Sequence, residues 1–220
     1  MLHLSAFNAA FTAEGLGWRW SVDAYRRLLA VTGGKERIAH FMAAEGRPAD
    51  PALVARLHAD KTRRYADAAA GLRLRPGIGR IIEEAAAAGC LLAIATTTTA
   101  ANVEALSRAC FGRPMAEVFH AVAAGDMVAR KKPAPDVYRL ALALLGLGPE
   151  AALAFEDSRN GLLAARAAGI ACVLVQGPFT AGEPVEDAAL VLQGHDDVAG
   201  YAGLRAALAA GRERAGARCG

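Results

Sequence analysis

Cysteine is scarce in this sequence: four in 220 residues, at positions 90, 110, 172 and 219. No two form a C-x-x-C pair and none clusters with histidine, so neither a zinc site nor a disulfide framework is indicated. Reduced thiols in a cytoplasmic protein are the simplest account. No apolar run is long enough to cross a bilayer. No basic segment followed by an apolar one opens the chain, so no signal peptide is expected. Aromatic residues are few, and none interleaves with Arg212, Arg214 and Arg218 near the end. A stacking surface for nucleic acid needs such aromatics. The net charge of +3 therefore reads as a solvated tail, with no nucleic-acid or membrane partner expected. No internal repeat is present.

Against those absences stands a composition that is 54% hydrophobic and 21% charged. A chain of this length can bury one sizeable core, or a core plus a small accessory domain. The first 70 residues carry helical signals alone. Leu4, Phe7 and Phe11 recur at helical spacing, and Asp50-Pro51 is a cap followed by a first-turn proline. Strand signals begin near residue 90. Leu91–Ala95, Val118–Ala123, Ala151–Phe155, Ala171–Val175 and Ala189–Leu192 alternate with helical segments. That alternation predicts a doubly wound, Rossmann-like parallel α/β sheet with right-handed crossovers. The expected division is a helical domain over 1–73 and an α/β core over 74–220.

Three predicted strands run into polar residues, where open α/β sheets bind ligands. Phe155 is followed by Glu156-Asp157-Ser158-Arg159-Asn160-Gly161. Paired carboxylates suit a hard cation such as Mg²⁺; the plainer alternative is that Asp157 or Ser158 caps the next helix. Ala95 is followed by Thr96-Thr97-Thr98-Thr99. Hydroxyls and free amides ahead of a helix can cradle a phosphate, or can be an ordinary polar loop. In Arg130-Lys131-Lys132-Pro133-Ala134-Pro135-Asp136 the prolines restrain the backbone, so the Lys132 ammonium can be aimed. A surface turn is the alternative. Together the three equip a site for a phosphoryl group bridged to Mg²⁺, with a cation neutralising developing charge.

In this order Thr96, Lys132–Asp136 and Phe155–Gly161 resemble the second, third and fourth motifs of the haloacid dehalogenase-type phosphatases. The nearest subgroup has a helical cap and includes β-phosphoglucomutase and phosphoglycolate phosphatase. Within it, Thr32–Arg37, Ala95–Thr98 and Ala124–Val128 are similar to the CbbY type. The resemblance runs from about Ser5 to near Val175. It implies a monomeric Mg²⁺-dependent phosphatase of a small phosphorylated sugar, xylulose-1,5-bisphosphate, an inhibitory misfire product of Rubisco. It implies that Thr96 binds the transferring phosphoryl group, with Thr97, Thr98 and Asn102 completing the loop. Lys132 would bridge that group and the nucleophile. Asp157 would ligate Mg²⁺, with Glu156 beside it. Gly33, Gly34, Lys35, Glu36 and Arg37 would grip the substrate, Arg37 at the far phosphate, and His58 and Lys61 would extend that surface. Without the resemblance, Lys35, Arg37, His58 and Lys61 would read as an ordinary solvated face.

One motif is absent. The family's first motif, D-x-D-G-T, carries the aspartate nucleophile, and no D-x-D-x-T occurs in these 220 residues. The resemblance places it on a central strand between those ending at Thr96 and Phe155. About 20 residues, a strand plus a loop, are accordingly expected upstream of Met1. Without that strand two ladders open and about five apolar side chains lose cover, at about 1.5–3 kcal/mol each. That rivals the roughly 5–15 kcal/mol that stabilises a whole domain. The alternative expectations are a non-catalytic sugar-phosphate-binding or interaction protein, or another sugar-phosphate phosphatase or mutase of the same superfamily.

Overall fold

The computed structural model describes residues 1–177 and 180–216, with side chains to residue 210. The chain forms two compact units. The first comprises Met1–Arg73, Thr96–Val118 and Ala124–Met127; the second comprises Leu74–Ala95, Phe119–Ala123 and the chain from Val128. Two segments beyond residue 73 thus belong to the compact unit built on the helical N-terminal stretch.

The first unit begins with α1 (Leu2–Ala13), α2 (Val22–Leu28), α3 (Gly34–Ala44) and α4 (Pro51–Ala69). The apolar positions at helical spacing, Leu4, Phe7 and Phe11, are buried on α1. Gly15, at φ +71°, turns the chain out of that helix. The Asp50 carboxylate accepts from Ala52 N at 2.9 Å and so caps α4 as the sequence indicates. Phe7, Phe11 and Trp20 meet at centroid distances of 4.8–6.2 Å, and Phe41 lies 5.4 Å from Trp20. Both tryptophans and three of the seven phenylalanines thus belong to this cluster.

The second unit opens with α5 (Ile78–Ala87) and β1 (Ala93–Ala95). The chain then contributes α6 (Ala100–Phe111) and α7 (Met115–Val118) to the first unit. It returns through β2 (Ala121–Ala123), α8 (Asp136–Leu145), β3 (Leu153–Glu156), α9 (Arg159–Ala167), β4 (Ala171–Val175), β5 (Leu190–Leu192) and α10 (Gly200–Gly216). Arg212 and Arg214 fall on the last turns of α10. Their side chains, and Arg218 and Cys219 altogether, lie outside the described residues.

Every ladder is parallel: β1 with β2, β3 with β4, and β4 with β5. The α/β class holds. Among the described residues no ladder joins the β1–β2 pair to the β3–β4–β5 sheet. Parallel strands are normally covered on both faces. Here β4 is buried from Cys172 to Val175, whereas β1 is half-buried throughout, and Leu91 and Leu153 are 45% and 36% exposed.

Three strand starts differ from the sequence expectation by two residues or more, while the end of β3 and the start of β5 differ by one. β1 starts at Ala93 rather than Leu91, because Leu92 bonds to His120: Leu92 N donates to His120 Nδ1 at 3.1 Å and its carbonyl accepts from His120 N at 2.8 Å. Val118 belongs to the short helix α7, so β2 starts three residues late. Ala151 closes a 3₁₀ turn, Pro149–Ala151, before β3.

Candidate active site

The last residue of β3, Glu156, is the centre of the charged cluster in the second unit. Its Oε1 accepts hydrogen bonds from Lys132 Nζ and from the Tyr138 hydroxyl. Lys132 also donates to the carbonyl of Ala95, the last residue of β1, at 2.9 Å. The Lys132 and Glu156 side chains are 9% and 8% exposed. A buried ion pair is tolerated when further hydrogen bonds satisfy both partners, as Ala95 and Tyr138 do here. Burial and the Glu156 charge push the Tyr138 hydroxyl far above its usual pKa, so it acts as a donor only. The same two causes raise the Cys172 thiol to about 12, which makes it an inert core residue. Lys132 precedes a cis peptide to Pro133. The predicted aiming of its ammonium is observed, toward Glu156.

Asp157 differs sharply from its neighbour. Its side chain is 60% exposed, and its ion pair is with Arg75, Oδ2 to Nη2, at 3.9 Å. Its backbone carbonyl accepts from the Thr180 hydroxyl, which in turn accepts from Gly177 N at 2.9 Å. Ser158, not Asp157, caps α9, its hydroxyl accepting from Gly161 N at 3.2 Å. Glu183 accepts from Arg159 N at 2.6 Å. With these amides occupied by protein oxygens, the Asp157 carboxylate remains open to solvent.

The threonine loop lies in the first unit. Thr96 Oγ1 accepts from Thr98 N at 3.2 Å, and Thr99 caps α6 by accepting from Asn102 N at 3.3 Å. Asn102 is buried; its Nδ2 donates to Thr98 Oγ1 at 2.6 Å, while its Oδ1 has no partner among the described residues. Gly125 N donates to Thr98 O at 2.8 Å, and a Cβ on Gly125 would lie 2.7 Å from the Thr97 carbonyl carbon. Only glycine permits that approach. The four threonines therefore form a braced turn ahead of a helix.

The predicted substrate residues Gly33, Gly34, Lys35, Glu36, Arg37, His58 and Lys61 also lie in the first unit. Lys35 and Glu36 are exposed. Arg37 is buried, donating from Nε to Leu28 O and from Nη2 to Val31 O, both at 3.0 Å, and stacking over Tyr25. It braces the end of α2 rather than waving on a solvated face. A Cβ on Gly34 would lie 2.6 Å from His58 Nε2, so α3 begins directly against that ring. Lys61 is 4% exposed and has no ion pair or hydrogen bond among the described residues. Its ammonium sits 5.3 Å from the Phe7 ring centroid and 5.1 Å from that of Tyr65. Burial and the Arg37 charge lower its pKa to about 8. A buried cation without a hydrogen-bonding partner is costly, which sets Lys61 apart from Arg37, whose guanidinium bonds two carbonyls and has Glu36 beside it.

The sequence reading missed three residues of these clusters. His3 stacks on Tyr65 at 4.1 Å, and burial with the Lys61 and Arg37 charges lowers its pKa to about 3. Tyr138 and Arg75 were missed because one looks like a core aromatic on α8 and the other like part of an arginine-rich linker. Arg75 precedes a Pro-Gly pair, the one local sign that its backbone is held.

The donor set fits a hard cation in part. Among the described residues no three His, Cys, Asp or Glu side chains are grouped for a metal. Mg²⁺, however, is often held by one or two carboxylates, with water and substrate phosphate completing its shell. Asp157 is open for that use. Glu156 has one oxygen already engaged.

Comparison with known proteins identifies the family. A model of the haloacid dehalogenase-like hydrolases matches residues 2–169. The chain is 49% identical over 205 residues to Protein CbbY of Cereibacter sphaeroides, covering 92% of this chain and 89% of that protein. It is 52% identical over 184 residues to Protein CbbY of Rhodobacter capsulatus, covering 83% and 81%. Among solved structures it resembles a CbbY variant from Rhodobacter sphaeroides in complex with xylulose-1,5-bisphosphate, with a TM-score of 0.89 at 49% identity, covering 92% of this chain and 91% of that one.

Proposed function

The chain belongs to the haloacid dehalogenase-like hydrolase family, and from that premise we propose that it is by descent a Mg²⁺-dependent phosphatase of xylulose-1,5-bisphosphate. The observation that carries the reading is the Lys132–Glu156 pair beside an open Asp157, within a chain half identical to CbbY proteins. We keep the helical cap at 1–73 and the α/β core at 74–220 as the family's organisation, in a monomeric cytoplasmic protein without nucleic-acid or membrane partners.

In this reading Thr96 binds the transferring phosphoryl group and Lys132 neutralises charge on it, while Thr97, Thr98 and Asn102 shape the loop. Asp157, with Glu156 behind it, holds Mg²⁺, which supplies charge stabilisation to the phosphoryl oxygens. Arg37, Lys61, His58 and the Gly33–Glu36 turn bind the rest of the substrate, and the unpaired charge of Lys61 favours a second phosphate. His3 joins that group.

A second reading has its own observation: the sequence holds no D-x-D-x-T. Aspartyl-phosphate chemistry needs that carboxylate, and a chain without it would bind a sugar phosphate without turning it over. One experiment separates the two. The 220-residue chain, and the same chain with an N-terminal strand bearing D-x-D-G-T, are assayed with Mg²⁺ and xylulose-1,5-bisphosphate. Phosphate release by the extended chain alone is expected. An inactive extended chain would sink the phosphatase reading, and turnover by the chain as it stands would show that another group attacks.

A further inference from the structure

The two adjacent acids at the end of β3 each have a cation of their own, and the two pairs differ in kind. Glu156 pairs with Lys132, with both side chains less than a tenth exposed and the carboxylate also bonded by Tyr138. Asp157 pairs with Arg75 at 3.9 Å, with side chains 60% and 49% exposed. The first pair is built in; the second is open to exchange.

Arg75 is not a wandering surface arginine. Two residues later Gly77 adopts φ +82°, and a Cβ there would lie 2.6 Å from the His195 carbonyl oxygen and 2.5 Å from Asp196 N. That contact fastens the Arg75–Gly77 turn beside the end of β5. The guanidinium then lies over Gly177, where a Cβ would come within 3.1 Å of Nη2. Glycine at 177 leaves the space the guanidinium uses. The loop after β3 is fastened as well, through the Thr180 hydroxyl on the Asp157 carbonyl. Both partners of the exposed pair are therefore held by their backbones, while the side chains remain free to part. The half-buried His195 ring is also on this face, stacked at 6.5 Å on Phe155.

We propose that Arg75 is the resident counter-ion of Asp157, and that a divalent cation enters by displacing it, so that Arg75 sets the affinity of the site. The proposal rests on reading Asp157 as the metal ligand. A cation on Asp157 gains nothing from Glu156 Oε1, which Lys132 and Tyr138 occupy, and among the described residues its ion-pair competitor is Arg75. A unit charge about 4 Å away in a largely aqueous setting changes the affinity for a cation by roughly fivefold per cationic charge. Because the pair is exposed, that effect weakens with salt.

The test is Mn²⁺ binding followed by electron paramagnetic resonance, with Mg²⁺ competition, on the 220-residue protein and on Arg75→Gln, Asp157→Asn and the double variant. For the divalent Mn²⁺ the effect per charge compounds to about twenty-five-fold at low salt, so Arg75→Gln is expected to bind Mn²⁺ about fivefold to twenty-five-fold more tightly than the parent, with an affinity less sensitive to NaCl. Asp157→Asn should lose the binding in either background. Equal or weaker binding by Arg75→Gln overturns the proposal. Binding that survives Asp157→Asn, or that is absent from every chain, overturns instead the metal reading of Asp157. In that event melting temperatures of the four chains at low salt decide the pairing: non-additive shifts uphold it, and additive shifts overturn it.

Discussion

Lys132 donates to the main-chain carbonyl of Ala95 at 2.9 Å, tying the motif lysine to the last residue of β1. The same ammonium bonds Glu156 at the end of β3. One side chain thus spans the C-terminal ends of two sheets that no ladder joins among the described residues. Replacing it removes the partner of a buried carboxylate, so Lys132→Met should destabilise the chain by about 3–5 kcal/mol. The double change Lys132→Met, Glu156→Gln should recover a good part of that loss. Urea denaturation of the three chains measures it, and a Lys132→Met midpoint equal to the parent's would show that the pair contributes nothing.

His3 should make the protein acid-sensitive. Its pKa is about 3 in the folded chain against 6.5 for the free group. Between those values the unfolded chain binds more protons, so stability falls as pH falls through that window and is fully present above about 6.5. His3→Phe keeps a ring against Tyr65 and removes the titration. Its melting temperature should drop less than the parent's between pH 7 and pH 4.5. Parallel curves would refute the assignment.

Lys61 sets the opposite limit for ligands. Its pKa is lowered to about 8, so its charge is present below that pH and lost above it. Sulfate, whose own charge is constant there, should bind more weakly as pH rises from 7 to 9. Lys61→Met should bind sulfate weakly and without that pH dependence. Calorimetric titration at three pH values distinguishes the cases.

Gly125 should not tolerate a side chain. An alanine Cβ would press on the Thr97 carbonyl carbon at 2.7 Å, and that neighbour is backbone, which cannot rotate away. Gly125→Ala is expected to cost about 1–3 kcal/mol, as overpacking usually does. The control is Gly112→Ala, where φ is positive but no atom lies within 4 Å of the added carbon. Thermal melts should rank Gly125→Ala well below it.

Much of the candidate site was legible because its residues sit at the ends of elements. Lys132 is followed by two prolines, Glu156-Asp157 ends an apolar run, and Thr96 follows one. The Ser158 cap was legible as one of two named options. Tyr138 was not, since nothing local separates a tyrosine that bonds a carboxylate from one that fills a core. His3 and Arg75 were invisible for a related reason: their partners, Tyr65 and Asp157, lie 62 and 82 residues away along the chain. Strand lengths were overestimated at Leu91 and Val118 because apolar character marks burial, whereas a strand also needs a neighbour's backbone to pair with.

The sequence by itself determined the α/β class, the order of the motif residues and the membership of the family. Those follow from periodicity, from caps and glycines, and from short runs whose chemistry is local. It also shows that no D-x-D-x-T occurs within these 220 residues. Tertiary structure alone decided how the two acids differ. Glu156 and Asp157 are neighbours of equal charge, yet one points into the protein between Lys132 and Tyr138 and the other faces solvent beside Arg75. Glu156 is the last residue of β3, whereas Asp157 opens the bend in which the chain leaves the sheet, so the two side chains face different surroundings. What waits on each face is set by distant parts of the chain.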